Sequence, residues 1–305
     1  MKIINLNDET FDGACVVGLG NFDGFHMGHQ SLFQNVCKLA RELDVAPAIL
    51  IFRSHTKSVV KGKVPPILTT FEDKIAIAEK LGLDLAFIIE FNKEFAANTP
   101  EEFIHKVLCQ KIHAKGVVVG PNFHFGKNAS GNTDTLIEFE KRYGYQTLVN
   151  PPVYYNDEMI SSTRIRKALD AGDLKTVQAC LGRPYRVYGR VIHGAMRGRD
   201  LGFPTANIEL DAPYHVPREG VYHTYTSHNG KRYNSITSVG TNPTFEQNAR
   251  DIKIETHLID FSEAIYDARV RVEFMEYIRP NYKFEEVGML IEQMKKDKEF
   301  AINHA

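Results

Sequence analysis

Cysteine is scarce in this chain, and what there is stays apart. Cys15, Cys37, Cys109 and Cys180 form no CxxC pair, which excludes a cysteine-based zinc ribbon and points to a reduced, cytosolic protein. An excess of charge of one sign is missing as well. Lys+Arg number 37 against 38 for Asp+Glu, a net charge of −1, and neither side of Arg183 holds a surplus. Bulk electrostatics therefore gives no support for nucleic acid or a membrane surface as a partner. No apolar run approaches the ~20 residues of a membrane helix, and the opening MKIINLNDETFDG lacks an apolar signal core. Two phosphate-binding signatures are absent too. There is no GxxxxGK[ST], and after Gly18 and Gly20 the third glycine of GxGxxG is replaced by Asp23.

What remains is an ordinary globular composition, 43% hydrophobic and 25% charged over 305 residues, a length that suits two domains. The first part alternates strand and helix. ACVVGL (14–19), APAILIF (46–52), LAFIIEF (85–91), GVVVG (116–120) and QTLVN (146–150) read as buried strands. Between them lie helical stretches: one with Leu32, Val36, Leu39 and Leu43 on a stripe, one over about 71–81, one opened by the capping box Thr99-Pro100-Glu101-Glu102 and running to about Ile112, and DTLIEFEKRYG. Such alternation predicts an α/β domain with a parallel sheet covered on both faces, its ligand beyond the carboxyl ends of the strands. Past Arg183-Pro184 the period shortens. YRVYGRVI, GVYHTYT, RYNSITSV, KIETHLID and ARVRVEFMEYI read as strands, with Asn229-Gly230 as a hairpin turn. A small antiparallel β-barrel followed by one helix, Phe284–Phe300, is expected. The domains are expected at 1–183 and 184–305.

Two segments carry chemistry. His26-Met27-Gly28-His29 enters the first helix, where imidazoles, free backbone N–H groups and the helix dipole favour a phosphate. Gly28 would let that phosphate approach closely. Ile160–Arg166 opens another helix with Ser162, Thr163, Arg164 and Arg166, a second phosphate cradle. In isolation each stretch would also suit a plain turn or an N-cap with a solvated face. In the second part, Gly194, Arg197, Gly198 and Arg199 suit a loop folding over anionic phosphates. Thr205 and Asn207 share one face if extended, and their oxygens suit a magnesium shell otherwise made of water and phosphate. Glu255, on its own, reads as an outward carboxylate on an amphipathic strand, and His257 shares its face.

Together these motifs resemble two enzyme families. Gly20-Asn21-Phe22-Asp23-Gly24, His26, Gly28-His29-Gln30, Phe52, His55, Gly120, Phe123, Phe125-Gly126, Gly131 and Ile160–Arg166 resemble the FMN adenylyltransferase module of bacterial bifunctional riboflavin kinase/FAD synthetases. That likeness covers 14–183 and implies a Rossmann-like nucleotidyltransferase fold. It further implies that His26 and His29 stabilise charge at the α-phosphorus of ATP. Gly20, Phe22, Asp23, Gly24, Gly28, Ser162, Thr163, Arg164 and Arg166 would bind ATP, and His55, Asn122, Phe123 and Phe125 would line the flavin side. The string RGRxLGFPTAN, with PREGVY, VGTNPTF and IETHLIDF after it, resembles the riboflavin kinase family over about 184–301. Here the resemblance assigns ATP to Gly194, Arg197, Gly198 and Arg199, Mg²⁺ to Thr205 and Asn207, and the role of general base to Glu255.

The implied reactions are riboflavin + ATP → FMN + ADP and FMN + ATP → FAD + pyrophosphate, both with Mg²⁺, in the cytoplasm. Three departures stand out: Phe52-Arg53-Ser54-His55-Thr56 for FDPHP, His124 within Gly120–Gly126, and Tyr266-Asp267 where the family has Tyr-Gly. The first two leave open a kinase with a weakened adenylyltransferase module. A flavin-binding regulator without turnover is a third reading, and it has no motif of its own.

Overall fold

Buried aliphatic runs set the architecture of the amino-terminal half. β1 (Lys2–Asn5), β2 (Cys15–Leu19), β3 (Ala46–Phe52), β4 (Leu85–Ile89), β5 (Ala114–Val119) and β6 (Gln146–Val149) form a parallel sheet in the order β1-β4-β3-β2-β5-β6. Successive side chains go to opposite faces. Val16, Ile49, Ile51 and Ala86 pack with Leu32, Phe33 and Val36 of α1 (Met27–Glu42). Cys15, Val17, Leu50 and Phe87 pack with Phe103, Ile104 and Leu108 on the other face. The sheet, its helices on both faces and the position of every expected strand agree with the sequence reading. β1 is the addition: KIIN is too short to show a period and is recognisable only by its pairing with β4.

α2 (Phe71–Lys80) lies within the expected helix. The capping box at Thr99 is formed, with Glu102 accepting from the Thr99 N–H at 2.8 Å. Its helix, Pro100–Glu102 continuing into Phe103–Lys111 (together α3), widens into π-type turns beyond the first turn, which periodicity did not announce. α4 (Thr133–Tyr143) and a two-stranded hairpin of β7 (Tyr154–Tyr155) and β8 (Glu158–Met159) complete this half.

This computed structural model describes residues 1–53, 66–193, 202–241 and 252–304. They divide into two units, Met1–Ser162 and Thr163–Ala305. α5 (Ser162–Ala171) starts at the division, and α6 (Leu174–Leu181) packs on two barrel strands, β9 (Tyr185–Ile192) and β14 (Arg269–Arg279). With β10 (Ala206–Leu210), β11 (Gly220–His228), β12 (Lys231–Thr241) and β13 (Ile252–Leu258) these close a barrel in the order β10-β13-β12-β11-β14-β9. Asn229 and Gly230 both take positive φ between the paired His228 and Lys231, a two-residue hairpin turn as the sequence suggested. α7 (Val287–Asn303) is clamped to β14 by a buried ion pair, Arg279 Nη2 to Asp297 Oδ2 at 2.7 Å.

Inside the barrel the packing is partly polar. Thr224, Thr226, Ser235, Thr237 and Thr256 are fully buried and satisfy one another, with O···O distances such as 2.7 Å for Thr224–Thr237 and 2.9 Å for Thr237–Thr256. Buried hydroxyls are tolerated because each finds a partner.

Candidate active sites

β2 ends at the point where the strand order turns outward on both sides, and the chain then folds back through Gly20–Phe25 into α1. That loop is strained. Phe22 and Phe25 hold φ of 47° and 45°, a region bulky residues avoid. Their rings are buried against Phe33, at 4.7 and 5.3 Å between centroids, and this packing holds the conformation.

His26 is the N-cap of α1, and its Nδ1 accepts the His29 backbone N–H at 3.4 Å. A neutral His26 therefore carries its proton on Nε2. The His26 and His29 rings stack with centroids 3.6 Å apart, and Phe22 meets His29 edge-on at 5.2 Å. Nδ1 of His29 is buried without a hydrogen-bond partner. Burial first, then the charges possible on His26 and on Lys74, hold the His29 pKa well below the ordinary imidazole value. A Cβ at Gly28 would stand 3.2 Å from the His26 ring, so the glycine makes room for that imidazole.

The pair opens onto a cavity of about 1020 Å³. Gly20, Phe22, Gly28, Asn122, Phe123 and Phe125, all sequence candidates, line it as well. Phe52, Phe91, Phe95 and Phe103 extend its aromatic wall through ring contacts of 5.2 to 6.1 Å. Phe91, Phe95 and Phe103 were not singled out in the sequence. Phe91 and Phe95 sit four apart after β4, and that spacing was the available signal.

Asp23, Gly24 and Ser162 lie behind the lining. Asp23 Oδ1 accepts the N–H groups of Leu68 and Thr69 at 2.9 and 3.2 Å, and Ser162 Oγ donates to the Asp23 carbonyl at 2.7 Å. Thr163, Arg164 and Arg166 follow on α5, in the second unit. His55 lies outside the described residues, as do Gly194, Arg197, Gly198 and Arg199.

In the barrel the candidates come together through strand pairing. Asn207 of β10 is paired with Glu255 of β13, which is paired on its other side with Ser238 of β12. Thr205, two residues before Asn207, falls on the same face. Glu255 is half-buried on the outer face, since Ile254 and Thr256 beside it point inward. Lys253, on the same face, forms an ion pair with it. His257 follows on that face and is not a plain surface residue: it is 8% exposed and its Nδ1 meets the Pro204 carbonyl at 2.8 Å. Asp267 takes φ of 60°, a left-handed conformation that glycine adopts freely.

Among the described residues no helix is long and apolar enough to cross a membrane, and all four cysteines are free thiols. A FAD synthetase family model matches residues 8–164, and a riboflavin kinase family model matches residues 181–305. A bifunctional riboflavin kinase/FMN adenylyltransferase of Haemophilus influenzae is 38% identical, covering 94% of this chain and 93% of that protein. The protein of the same name from Bacillus subtilis is 36% identical over 95% of this chain and 92% of its own length. A crystal structure described as a macrolide-efflux protein from Streptococcus pneumoniae is 30% identical with a TM-score of 0.91, covering 99% of each chain. With both family models matched in order along one chain, and with identities of this size over nearly its whole length, the protein belongs to the bifunctional riboflavin kinase/FMN adenylyltransferase family.

Proposed function

We propose that this chain makes flavin nucleotides in two steps. Its barrel unit moves the γ-phosphoryl group of ATP to the ribityl 5′-hydroxyl of riboflavin, giving FMN and ADP. Its parallel-sheet unit joins FMN to the AMP part of a second ATP, giving FAD and pyrophosphate. The observation that carries this reading is the stacked His26–His29 pair opening onto a cavity with several phenylalanine rings in its lining, a polar anchor for phosphates in the same cavity as an apolar bed for a flat ring system.

In adenylyl transfer an FMN phosphate oxygen attacks the α-phosphorus and the bond to pyrophosphate breaks. His26 presents Nε2–H to the developing charge, and His29 adds a neutral imidazole beside it. Positioning and preorganised donors suffice, with no covalent enzyme intermediate. Phe123, Phe125 and their aromatic neighbours would take the isoalloxazine ring.

In phosphorylation Glu255 would accept the ribityl hydroxyl proton as the oxygen attacks the γ-phosphorus. Thr205 and Asn207 would hold Mg²⁺. The residues fit it: the amide-bearing Asn207 is paired with Glu255, Thr205 two residues earlier adds a hydroxyl, and the described residues contain no group of three or more His, Cys, Asp or Glu suited to a metal. A cation that keeps its waters and takes its remaining ligands from phosphate needs no more. Bound Mg²⁺ would supply charge neutralisation on the ATP phosphates. The groups assigned to adenylyl transfer lie within residues 1–183 and those assigned to phosphorylation within 184–305, and free thiols suit a cytoplasmic enzyme.

Incubation with riboflavin and Mg-ATP, followed by chromatographic separation of flavins, tests both steps at once. FAD is expected. FMN as the end product would leave a kinase with a silent first unit, and unconverted riboflavin would remove the kinase reading, with FMN supplied in its place then testing the second step alone.

A further inference from the structure

Lys74 on α2 lies outside every motif in the sequence, yet it reaches the loop that carries the histidine pair. Its Nζ donates to the Asn21 carbonyl at 3.0 Å. Asn21 lines the cavity, and the next residue is the strained Phe22 whose ring abuts His29. Three polar tethers thus hold this loop: Ser162 and the Leu68–Thr69 backbone on Asp23, and Lys74 on Asn21.

Lys74 differs from the other tethers in bringing a positive charge. It is half-buried, and among the described residues no carboxylate stands within ion-pairing distance of it. Asp23 acts on it from farther off, its Oδ1 already engaged by two backbone N–H groups. Burial works against the ammonium and lowers its pKa. A partly desolvated cation whose acidic neighbour stands beyond ion-pairing distance is costly, and a polyanion bound at the loop that Lys74 holds would offset the cost. His29 cannot fill that role, because burial holds its imidazole neutral.

We propose that Lys74 is a positioning residue of adenylyl transfer: through the Asn21 carbonyl it fixes the loop bearing His26 and His29, and its charge prepares that loop for the polyphosphate of a nucleoside triphosphate. This rests on the adenylyltransferase reading of the first unit. His26 and Lys74 are the charged neighbours that act on His29, and Asp23 is the one that acts on Lys74.

The test replaces Lys74 in the full chain and follows both reactions. Lys74→Met keeps the aliphatic stem and removes the charge. It should raise the KM for Mg-ATP in FAD formation about 10–100-fold. It should also move the acid limb of the pH–rate profile to higher pH, because an imidazole relieved of a neighbouring cation takes up a proton more readily. Lys74→Arg should restore most of both. Circular dichroism reports that the chain is folded, and riboflavin phosphorylation by the same samples reports that the barrel unit is unaffected. A Met variant with wild-type KM and an unmoved profile overturns the proposal. A Met variant that loses phosphorylation and its circular dichroism also overturns it, because Lys74 would then be an anchor of the fold. A wild-type chain that forms no FAD removes the adenylyltransferase reading and this inference with it.

Discussion

In the parallel-sheet unit the histidine pair comes from one stretch, Gly20–His29, folded tightly at the end of β2, whereas in the barrel unit the candidate groups are assembled by register. Asn207, Glu255 and Ser238 belong to three strands and share one row only because β10, β13 and β12 pair as they do. The two constructions fail differently. The first depends on local sterics, with two phenylalanines at positive φ and an imidazole filling the space beside Gly28. The second depends on closure of the whole barrel, since a slip of one residue would turn Glu255 inward, onto the hydroxyl network.

The largest effect expected from this contrast concerns what the barrel needs in order to close. Leu174, Val177, Cys180 and Leu181 of α6 are buried, and Arg218 ties the barrel to the end of α5 through the carbonyls of Leu169 and Ala171. Losing side chains of this kind costs about 1.5–3 kcal/mol each, comparable in sum with the roughly 5–15 kcal/mol of a typical domain. A 184–305 fragment should therefore be unfolded and make no FMN, while a 163–305 fragment melts cooperatively and phosphorylates riboflavin. Equal melting curves for the two would show that the barrel closes without α5 and α6.

Next in size is Glu255→Gln. Removing a general base should lower FMN formation by about 10²–10⁴-fold, with riboflavin and Mg-ATP affinities little changed. FAD formation from supplied FMN should persist. Near-normal phosphorylation would return Glu255 to a solvated strand carboxylate paired with Lys253.

His29→Ala addresses the other construction. It removes one half of the stacked pair and should cost about 10²–10³-fold in FAD formation from FMN, in line with the loss of one preorganised group. FMN formation should stay as it was. A parallel fall of both activities, with unchanged circular dichroism, would break the idea of two separately built sites.

The smallest effect should come from Asp267→Gly. Asp267 sits at φ of 60° with its N–H on the Val191 carbonyl at 2.9 Å. Glycine relieves the left-handed backbone but adds entropy to the unfolded chain. The net gain should stay under about 1 kcal/mol, seen as a melting point a few degrees higher at most. A clear loss would mean that the aspartate side chain itself supports the turn.

Much of this was legible beforehand, for reasons that differ by element. β2, β3 and β5 announced themselves because a strand buried on both faces must be apolar throughout. The capping box at Thr99 and the Asn229-Gly230 turn are local chemistry, and both formed as read. β10 went unnamed as a strand because ANIEL follows a glycine- and proline-rich stretch and shows little period. Phe91, Phe95 and Phe103 belong to no motif, and the fold places them around one cavity.

The sequence by itself determined the two fold classes, the order of the units and the histidine pair, because periodicity, turn residues and short motifs act between neighbours along the chain. Only the tertiary structure decided what Gly28 makes room for, why Asp267 stands where glycine can, that His257 holds the Pro204 carbonyl, and that Lys74 reaches Asn21. The last two join atoms through three-dimensional packing, with partners fifty-three positions apart in each case. A contact at that separation leaves no period in the sequence; it exists once the sheet and its helices have closed around it.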